Sequence, residues 1–169
     1  MFPGECAEIV VPRDYDEPKG ETVTLTAMRA PATDQENRLG TVFITHPSAG
    51  WAAGDPCGLR MQDSRVNERY DVVALDMRGT GWSDPLRCYP NNGAFFDKVD
   101  ADMPFPETAE QVEQVHQGTA ALGRACAERG SAQATSMSTA TSARDLEMVR
   151  RALGEKLNLV GYGDGNQLA

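Results

Sequence analysis

The segment Gly161–Gly165 has the residue types and spacing of a turn that presents a nucleophile. It follows the apolar run Leu157–Val160, and a strand that runs into Gly-x-nucleophile-x-Gly forms a sharp turn that holds an attacking side chain above a sheet. The central residue here is Gly163, which has no side chain with which to attack a substrate. The pattern therefore predicts the turn of a covalent catalyst without its nucleophile.

Asp164 is the neighbouring side chain that could take over the attack. That role requires the turn to shift by one residue, which places Tyr162 where a small residue is needed. A residue in a solvated turn, or at the start of the next helix, is the simpler interpretation of this carboxylate. Asp164 is therefore a candidate nucleophile, but the sequence favours a structural role for it.

The remaining residues that could do chemistry do not form a complete site. His46 and Ser48 could form a local dyad, but no carboxylate is identified to orient the imidazole, so a role in a loop is favoured. His116 lies among polar residues and is expected on a solvated helix face. The four cysteines contain no Cys-x-x-Cys pair, and we predict neither a metal site nor a cofactor. Disulfides and free thiols are both open, since they depend on the compartment.

The composition is typical of a globular protein with an acidic surface. The 169 residues are enough for one domain, and 40% are hydrophobic against 24% charged. The net charge of −9 argues against nucleic acid or an anionic membrane as the main partner. No apolar run approaches the roughly 20 residues that span a bilayer. No signal peptide is visible, so we expect a cytoplasmic chain or a leader outside this sequence.

Short apolar runs predict the strands that position these residues. Thr22–Arg29 alternates with a period of two, as in a half-buried strand. Thr41–Thr45 and Asp71–Leu75 are continuous and apolar, as in parallel strands that are covered on both faces. The full set of predicted strands is Ala7–Val11, Thr22–Arg29, Thr41–Thr45, Asp71–Leu75 and Leu157–Val160.

Two helices are predicted between the fourth and fifth strands. They cover Glu107–Arg129 and Thr139–Leu153, and each is followed by a glycine that can stop a helix. Trp51–Arg69 has room for a crossover helix, and Ser131–Ser142 is predicted to be a loop with a helix cap. This order of elements predicts an α/β doubly wound fold, with a mostly parallel sheet flanked by helices.

The segment Asp76–Ser83, directly after a predicted buried strand, resembles the Asp-x-Arg-Gly-x-Gly-x-Ser segment of α/β-hydrolases. Its glycines allow a tight turn, and its Asp and Arg can bond the loop backbone. Further segments occur in the same order as in the tripeptidyl and prolyl aminopeptidase-like branch of that family. They are Glu5–Ala7, Val11–Tyr15, Arg69–Val73, Pro85–Cys88, Ala125–Glu128, Met137–Thr139 and Ala143–Leu146.

The resemblance implies a serine hydrolase that releases short peptides or single residues from free N-termini. It assigns Gly163 to the position of the nucleophile. Ser48 and Ala49 fall in the loop that normally supplies oxyanion N–H groups, and most of the usual glycines of that loop are replaced. Cys88 and Cys126 match positions that pair in a disulfide. With the nucleophile absent, we expect no peptidase activity.

By the same resemblance, residues 1–169 form the N-terminal part of one α/β-hydrolase domain, a truncated fold that lacks the C-terminal strands, the lid, and the catalytic acid and base. The last predicted strand would then expose an edge that pairs with a partner, either a second copy or a complementing C-terminal half. One alternative is a dimerising pseudo-enzyme with a binding or regulatory role. Another is half of a split hydrolase, although a partner cannot restore the nucleophile that Gly163 lacks.

Overall fold

A computed structural model describes residues 4–45, 65–90, 105–161 and 163–168. Each of the five predicted strands is present. Two short 3₁₀ helices cover Gln35–Asn37 and Gly163–Leu168. The strands are β1 (Glu5–Pro12), β2 (Thr22–Ala30), β3 (Gly40–Thr45), β4 (Tyr70–Leu75) and β5 (Asn158–Gly161), and the α-helices are α1 (Arg65–Arg69), α2 (Ala109–Arg129), α3 (Ser131–Ser136) and α4 (Thr139–Leu153).

The strands form one sheet in the order β1-β2-β4-β3-β5. β3 pairs in parallel with both β4 and β5, whereas β1 pairs antiparallel with β2 and β2 pairs antiparallel with β4. The predicted α/β fold is thus confirmed, with a mixed sheet whose parallel part consists of β3, β4 and β5. The carboxyl ends of these three strands lie at one edge of the sheet, which is where α/β folds hold their sites.

Burial along the strands follows the hydrophobic pattern of the sequence. Val23, Leu25 and Ala27 of β2 are buried and alternate with more exposed threonines, as a strand with a period of two requires. All six residues of β3 are buried, in keeping with a parallel strand covered on both faces. One face of the sheet packs against Leu146 and Val149 of α4, so this helix covers the larger of the two clusters of apolar side chains.

Local signals set the ends of α4. The Ser138 hydroxyl accepts a hydrogen bond from the Thr141 N–H at the start, and Gly154 adopts a left-handed conformation (φ 66°) at the end. The predicted limits of this helix, Thr139–Leu153, are confirmed. The predicted loop before it was wrong in part, because Ser131–Ser136 forms α3. The Ala134 N–H donates to the carbonyl of Gly130, which carries the helical pattern onward from α2.

The chain divides into two compact units. Unit 1 comprises Met1–Pro85 and Ser136–Ala169 and contains the sheet, and unit 2 comprises Leu86–Thr135. In unit 2, α2 starts at a capping box between Thr108 and Gln111. A disulfide joins Cys88 to Cys126, which is the pairing implied by the resemblance. None of the helices in the described ranges is long and apolar enough to cross a membrane.

Candidate functional site

The segment Gly161–Gly165, which the sequence predicts as the nucleophile turn, includes the last residue of β5 and the first residues of the 3₁₀ helix Gly163–Leu168, and Tyr162 lies outside the described residues. A Cβ atom on Gly161 would lie 2.6 Å from the carbonyl oxygen of Gly165, and one on Gly165 would lie 2.5 Å from Thr45 Oγ1 and 2.7 Å from the Thr45 carbonyl oxygen. Real side chains do not approach backbone atoms this closely, so both flanking positions require glycine. The glycines at both ends of this segment are therefore packed closely, Gly161 against Gly165 and Gly165 against the end of β3.

The end of β3 lies beside this turn. Thr45 pairs with Gly161 across the parallel ladder, and the buried Thr45 hydroxyl donates a long hydrogen bond of 3.4 Å to the carbonyl of Gly165. The segment in which the resemblance places the oxyanion N–H groups follows Thr45 in the sequence. The predicted positions Ser48 and Ala49 in that segment, together with His46, lie outside the described residues. The backbone of Asp164 belongs to the 3₁₀ helix, but its side chain also lies outside the described part.

The loop after β4 is fixed by its own side chains. The Asp76 carboxylate accepts a hydrogen bond from the Trp82 N–H (3.0 Å), while the Ser83 hydroxyl donates to the Asp76 carbonyl (2.7 Å) and accepts from the Thr26 N–H (2.7 Å). Gly79 has φ 78°, and a Cβ there would lie 2.3 Å from the sulfur of Met137. The predicted role of Asp76 in bonding the loop backbone is confirmed. The hydrogen bonds of Asp76 and Ser83 fix the shape of this loop and attach it to β2.

The sequence predicts that Arg78 of the same segment bonds the loop backbone. In the structure its partners lie outside the loop instead. Its Nε and Nη2 atoms donate to the two carboxylate oxygens of Asp145 on α4, at 2.7 and 2.6 Å. The guanidinium also donates to the carbonyls of Pro12 and Arg13 at the end of β1. Arg78 and Asp145 are 1% and 0% exposed. This ion pair therefore connects β1, the loop after β4 and α4, without access for a substrate.

Tyr15 completes this buried group. Its hydroxyl donates a 2.7 Å hydrogen bond to Asp145, and the Arg78 guanidinium lies 5.6 Å from the centre of its ring. Burial, followed by the hydrogen bond to the Asp145 carboxylate, raises the pKa of Tyr15 well above its ordinary value. The phenol consequently stays protonated and acts as a donor. No pattern in the sequence predicts this network.

A second buried carboxylate lies near the amino end of β4, away from the turn. Asp71 accepts hydrogen bonds from Arg29 (2.6 and 3.0 Å), from Arg38 Nε (2.8 Å) and from the Ala32 N–H (2.8 Å). Burial works to raise the pKa of Asp71, but the Ala32 N–H and the two guanidiniums outweigh it and hold the pKa below its usual value. With its oxygens occupied by these donors, Asp71 has a structural role.

No group of three or more His, Cys, Asp and Glu side chains in the described part of the chain is arranged to hold a metal ion. The described titratable groups with shifted pKa values belong to the two ion-pair networks above or to the partly exposed pair of Glu147 and Arg150 on α4. What the structure brings together at the carboxyl edge is therefore a glycine-lined turn and the end of β3.

Comparison with known proteins decides the family. The sequence model of the family described as alpha/beta hydrolase fold matches residues 49–163, more than half of the chain. The chain belongs to the α/β-hydrolase family. The match includes the segment Asp76–Ser83 and ends at Gly163, the residue that the sequence resemblance assigns to the nucleophile position.

Curated relatives of this α/β-hydrolase include proteases and aminopeptidases. The chain is 31% identical over 168 residues to the serine protease Hip1 of Mycobacterium tuberculosis, covering 96% of this chain and 32% of that protein. It is 29% identical over 172 residues to the tripeptidyl aminopeptidase of Streptomyces lividans, covering 98% of this chain and 32% of that protein. The chain thus spans about a third of the length of these relatives.

A solved structure shares the fold. A probable hydrolytic enzyme from Pseudomonas aeruginosa superposes with a TM-score of 0.54 at 13% identity, covering 100% of this chain and 36% of that one. At this level of identity the likeness supports the α/β-hydrolase fold alone. The aminopeptidase-like resemblance seen in the sequence is supported by the curated relatives.

Alanine at Gly165 tests whether the turn depends on close backbone contact. We expect Gly165→Ala to lower the free energy of unfolding by about 1–3 kcal/mol, because the new methyl group must displace the Thr45 backbone. Gly4→Ala is the matched control, since a Cβ there has its nearest neighbours at 3.7 Å, an ordinary contact distance. Urea unfolding followed by tryptophan fluorescence measures both. Equal stability of the two variants would contradict the close approach.

Proposed function

We propose that this chain is an α/β-hydrolase-fold protein of the serine aminopeptidase type that does not carry out the serine acyl-transfer reaction. The observation that carries the proposal is the turn itself. Gly161 and Gly165 retain the close contacts that a nucleophile elbow needs, while the position between them is Gly163. The scaffold that holds a nucleophile is kept, and the nucleophile is replaced.

The chemistry of the relatives' reaction makes this replacement decisive. In a serine peptidase, the hydroxyl oxygen forms a bond to the scissile carbonyl carbon, a base accepts its proton, and backbone N–H groups stabilise the oxyanion. Gly163 has no atom that can form that bond. Removing the serine of a serine protease lowers kcat by on the order of a millionfold. The substrate class of the ancestor, peptides with a free N-terminus, is inferred from the tripeptidyl aminopeptidase relatives.

We therefore expect that the purified chain will not hydrolyse a tripeptidyl or aminoacyl p-nitroanilide faster than buffer alone. A fluorophosphonate probe, which forms a covalent bond with activated serines, should leave the protein mass unchanged. Release of nitroaniline and intact mass are the two measurements. Both measurements use the purified chain of 169 residues.

The matched variant is Asp164→Ala, because Asp164 is the candidate that could replace the missing serine. Turnover by the wild-type chain that disappears in Asp164→Ala would refute the proposal and identify an aspartate nucleophile. Turnover that persists in both proteins, together with labelling by the probe, would indicate a serine elsewhere in the chain. Background rates in both proteins are the expected result.

We also propose that the outer side of β5 pairs with a partner. β5 has one neighbour among the described strands, β3, and none of its four residues is fully buried, whereas all six residues of β3 are buried. An open strand edge presents unpaired N–H and C=O groups that favour strand addition. The partner is either a second copy of the chain or a complementing C-terminal half of a hydrolase. Sedimentation velocity of the purified chain distinguishes a dimer from a monomer that awaits another partner.

A further inference from the structure

Unit 2 contains a long helix that its described neighbours do not bury. α2 has 21 residues, and not one of them is buried. Across the described residues of unit 2, which are 86–90 and 105–135, Gly130 is the one buried residue. Helices of globular proteins normally gain their stability from burying one face. One face of α2 is half-buried and none of its residues is fully buried, so packing stabilises this helix less than it stabilises a core helix and a covalent cross-link can contribute more.

The disulfide is the feature that holds the described ends of unit 2 together. It joins Cys88, near the start of the unit, to Cys126 in the last turn of α2, at a sequence separation of 38. Beside it, Leu86 packs closely against Gly130, where a Cβ would lie 2.5 Å from Leu86 Cδ1. The start of unit 2 is therefore joined covalently to the last turn of α2. A cross-link of this span restricts the unfolded chain strongly.

Thiol–disulfide exchange requires that a thiolate approach one of the two sulfur atoms. Both cysteines of this disulfide are partly exposed. Unit 1, in contrast, is stabilised by a buried core that contains the apolar clusters of the sheet and the Arg78–Asp145 ion pair. Among the described residues of unit 1 the one cysteine is Cys6, which is free and exposed.

We propose that the Cys88–Cys126 disulfide is a redox-operated lock on unit 2. With the bond intact α2 keeps its helical hydrogen bonds. With the bond reduced α2 unfolds locally, while the sheet of unit 1 keeps its structure. The reductant is a thiol or dithiol. Its thiolate attacks one sulfur, the S–S bond breaks, and a second thiol resolves the mixed disulfide. The two cysteines gain two electrons and two protons, and the reductant becomes a disulfide.

Hydrogen exchange measured by mass spectrometry on the whole chain, oxidised and reduced, tests the lock. After reduction with a dithiol we expect amides of α2 to exchange roughly 10²–10³ times faster, the factor that corresponds to releasing a loop of this length. Amides of β3 and β4 should exchange at the same rate in both states. Intact mass after thiol alkylation reports how completely the bond was reduced.

Variants separate the disulfide from other effects of the reductant. The double substitution Cys88→Ser/Cys126→Ser should give the fast exchange in α2 without any reductant. Cys6→Ser is the matched control and should behave like the wild-type chain in both states, since Cys6 is free. Three results would each overturn the proposal: α2 equally protected after complete reduction, α2 unprotected in the oxidised chain, or loss of protection in β3 and β4 along with α2.

Discussion

Replacing Arg78 by methionine should lower the free energy of unfolding by about 3–5 kcal/mol, the largest effect expected from a single substitution in this chain. The Asp145 carboxylate is 0% exposed and accepts two hydrogen bonds from the guanidinium. Methionine fills much of the volume of the arginine stem but leaves that carboxylate buried and without its cation. The carbonyls of Pro12 and Arg13 lose their donor at the same time. Urea unfolding followed by the fluorescence of the tryptophans measures the loss.

Two further proteins show whether the loss comes from an uncompensated charge. Arg144→Met is the matched control, because this guanidinium lies 5.7 Å from the same Tyr15 ring but its side chain is 57% exposed. It should cost less than about 1 kcal/mol. Arg78→Met combined with Asp145→Leu removes both charges and should recover much of the stability that Arg78→Met loses. If Arg78→Met costs no more than Arg144→Met, the pair does not hold the fold as described.

The elements of this fold could be predicted wherever the determining signal is local. The limits of α4 follow from an apolar repeat and from a glycine that can adopt φ 66° at its end, and both features are visible in the sequence. The strands β3 and β4 follow from unbroken apolar runs. The need for glycine at positions 161 and 165 also has a local cause, because a Cβ at either position would meet backbone atoms within a few residues or on the adjoining strand.

The ion-pair networks could not be predicted, because their partners are far apart in sequence. Arg78 and Asp145 are separated by 67 residues, and Asp71 lies 42 residues from Arg29 and 33 from Arg38. A buried arginine or aspartate has no periodicity that distinguishes it from a solvated one. The same limit applies to the direction of β1 and β2, since antiparallel pairing is decided by how the sheet is assembled. α3 was missed because Ser and Thr are weak helix formers and favour caps and loops.

Asp71→Asn should be the second most destabilising substitution, by about 2–4 kcal/mol at neutral pH. The carboxylate of Asp71 is buried and is shared by the guanidiniums of Arg29 and Arg38. Asparagine keeps the shape of the side chain and can still accept a hydrogen bond from the Ala32 N–H. The loss in free energy of unfolding therefore measures the contribution of the negative charge. Each arginine keeps a second carboxylate partner, Glu5 or Glu155, which limits the cost.

The effect of this substitution should depend on pH in a defined direction. The neighbouring donors lower the pKa of Asp71 in the folded chain below its value in the unfolded chain, which is about 3.9. The charge therefore contributes its full stabilisation above that unfolded value, and the contribution is lost as the pH falls through the folded pKa. The difference in unfolding free energy between wild type and Asp71→Asn should be constant from pH 7 to about pH 5 and should shrink steadily below about pH 4.

Urea unfolding of both proteins at a series of pH values between 3 and 7 gives this difference directly, and comparison at each pH cancels the groups that titrate equally in both. Glu21→Gln serves as the control, because the Glu21 side chain pairs with Arg13 but is 75% exposed. Its effect should stay small at every pH, since exposed ion pairs contribute little. A difference for Asp71→Asn that does not change down to pH 3 would mean that the shape of residue 71, and not its charge, holds Arg29 and Arg38 at the base of β4.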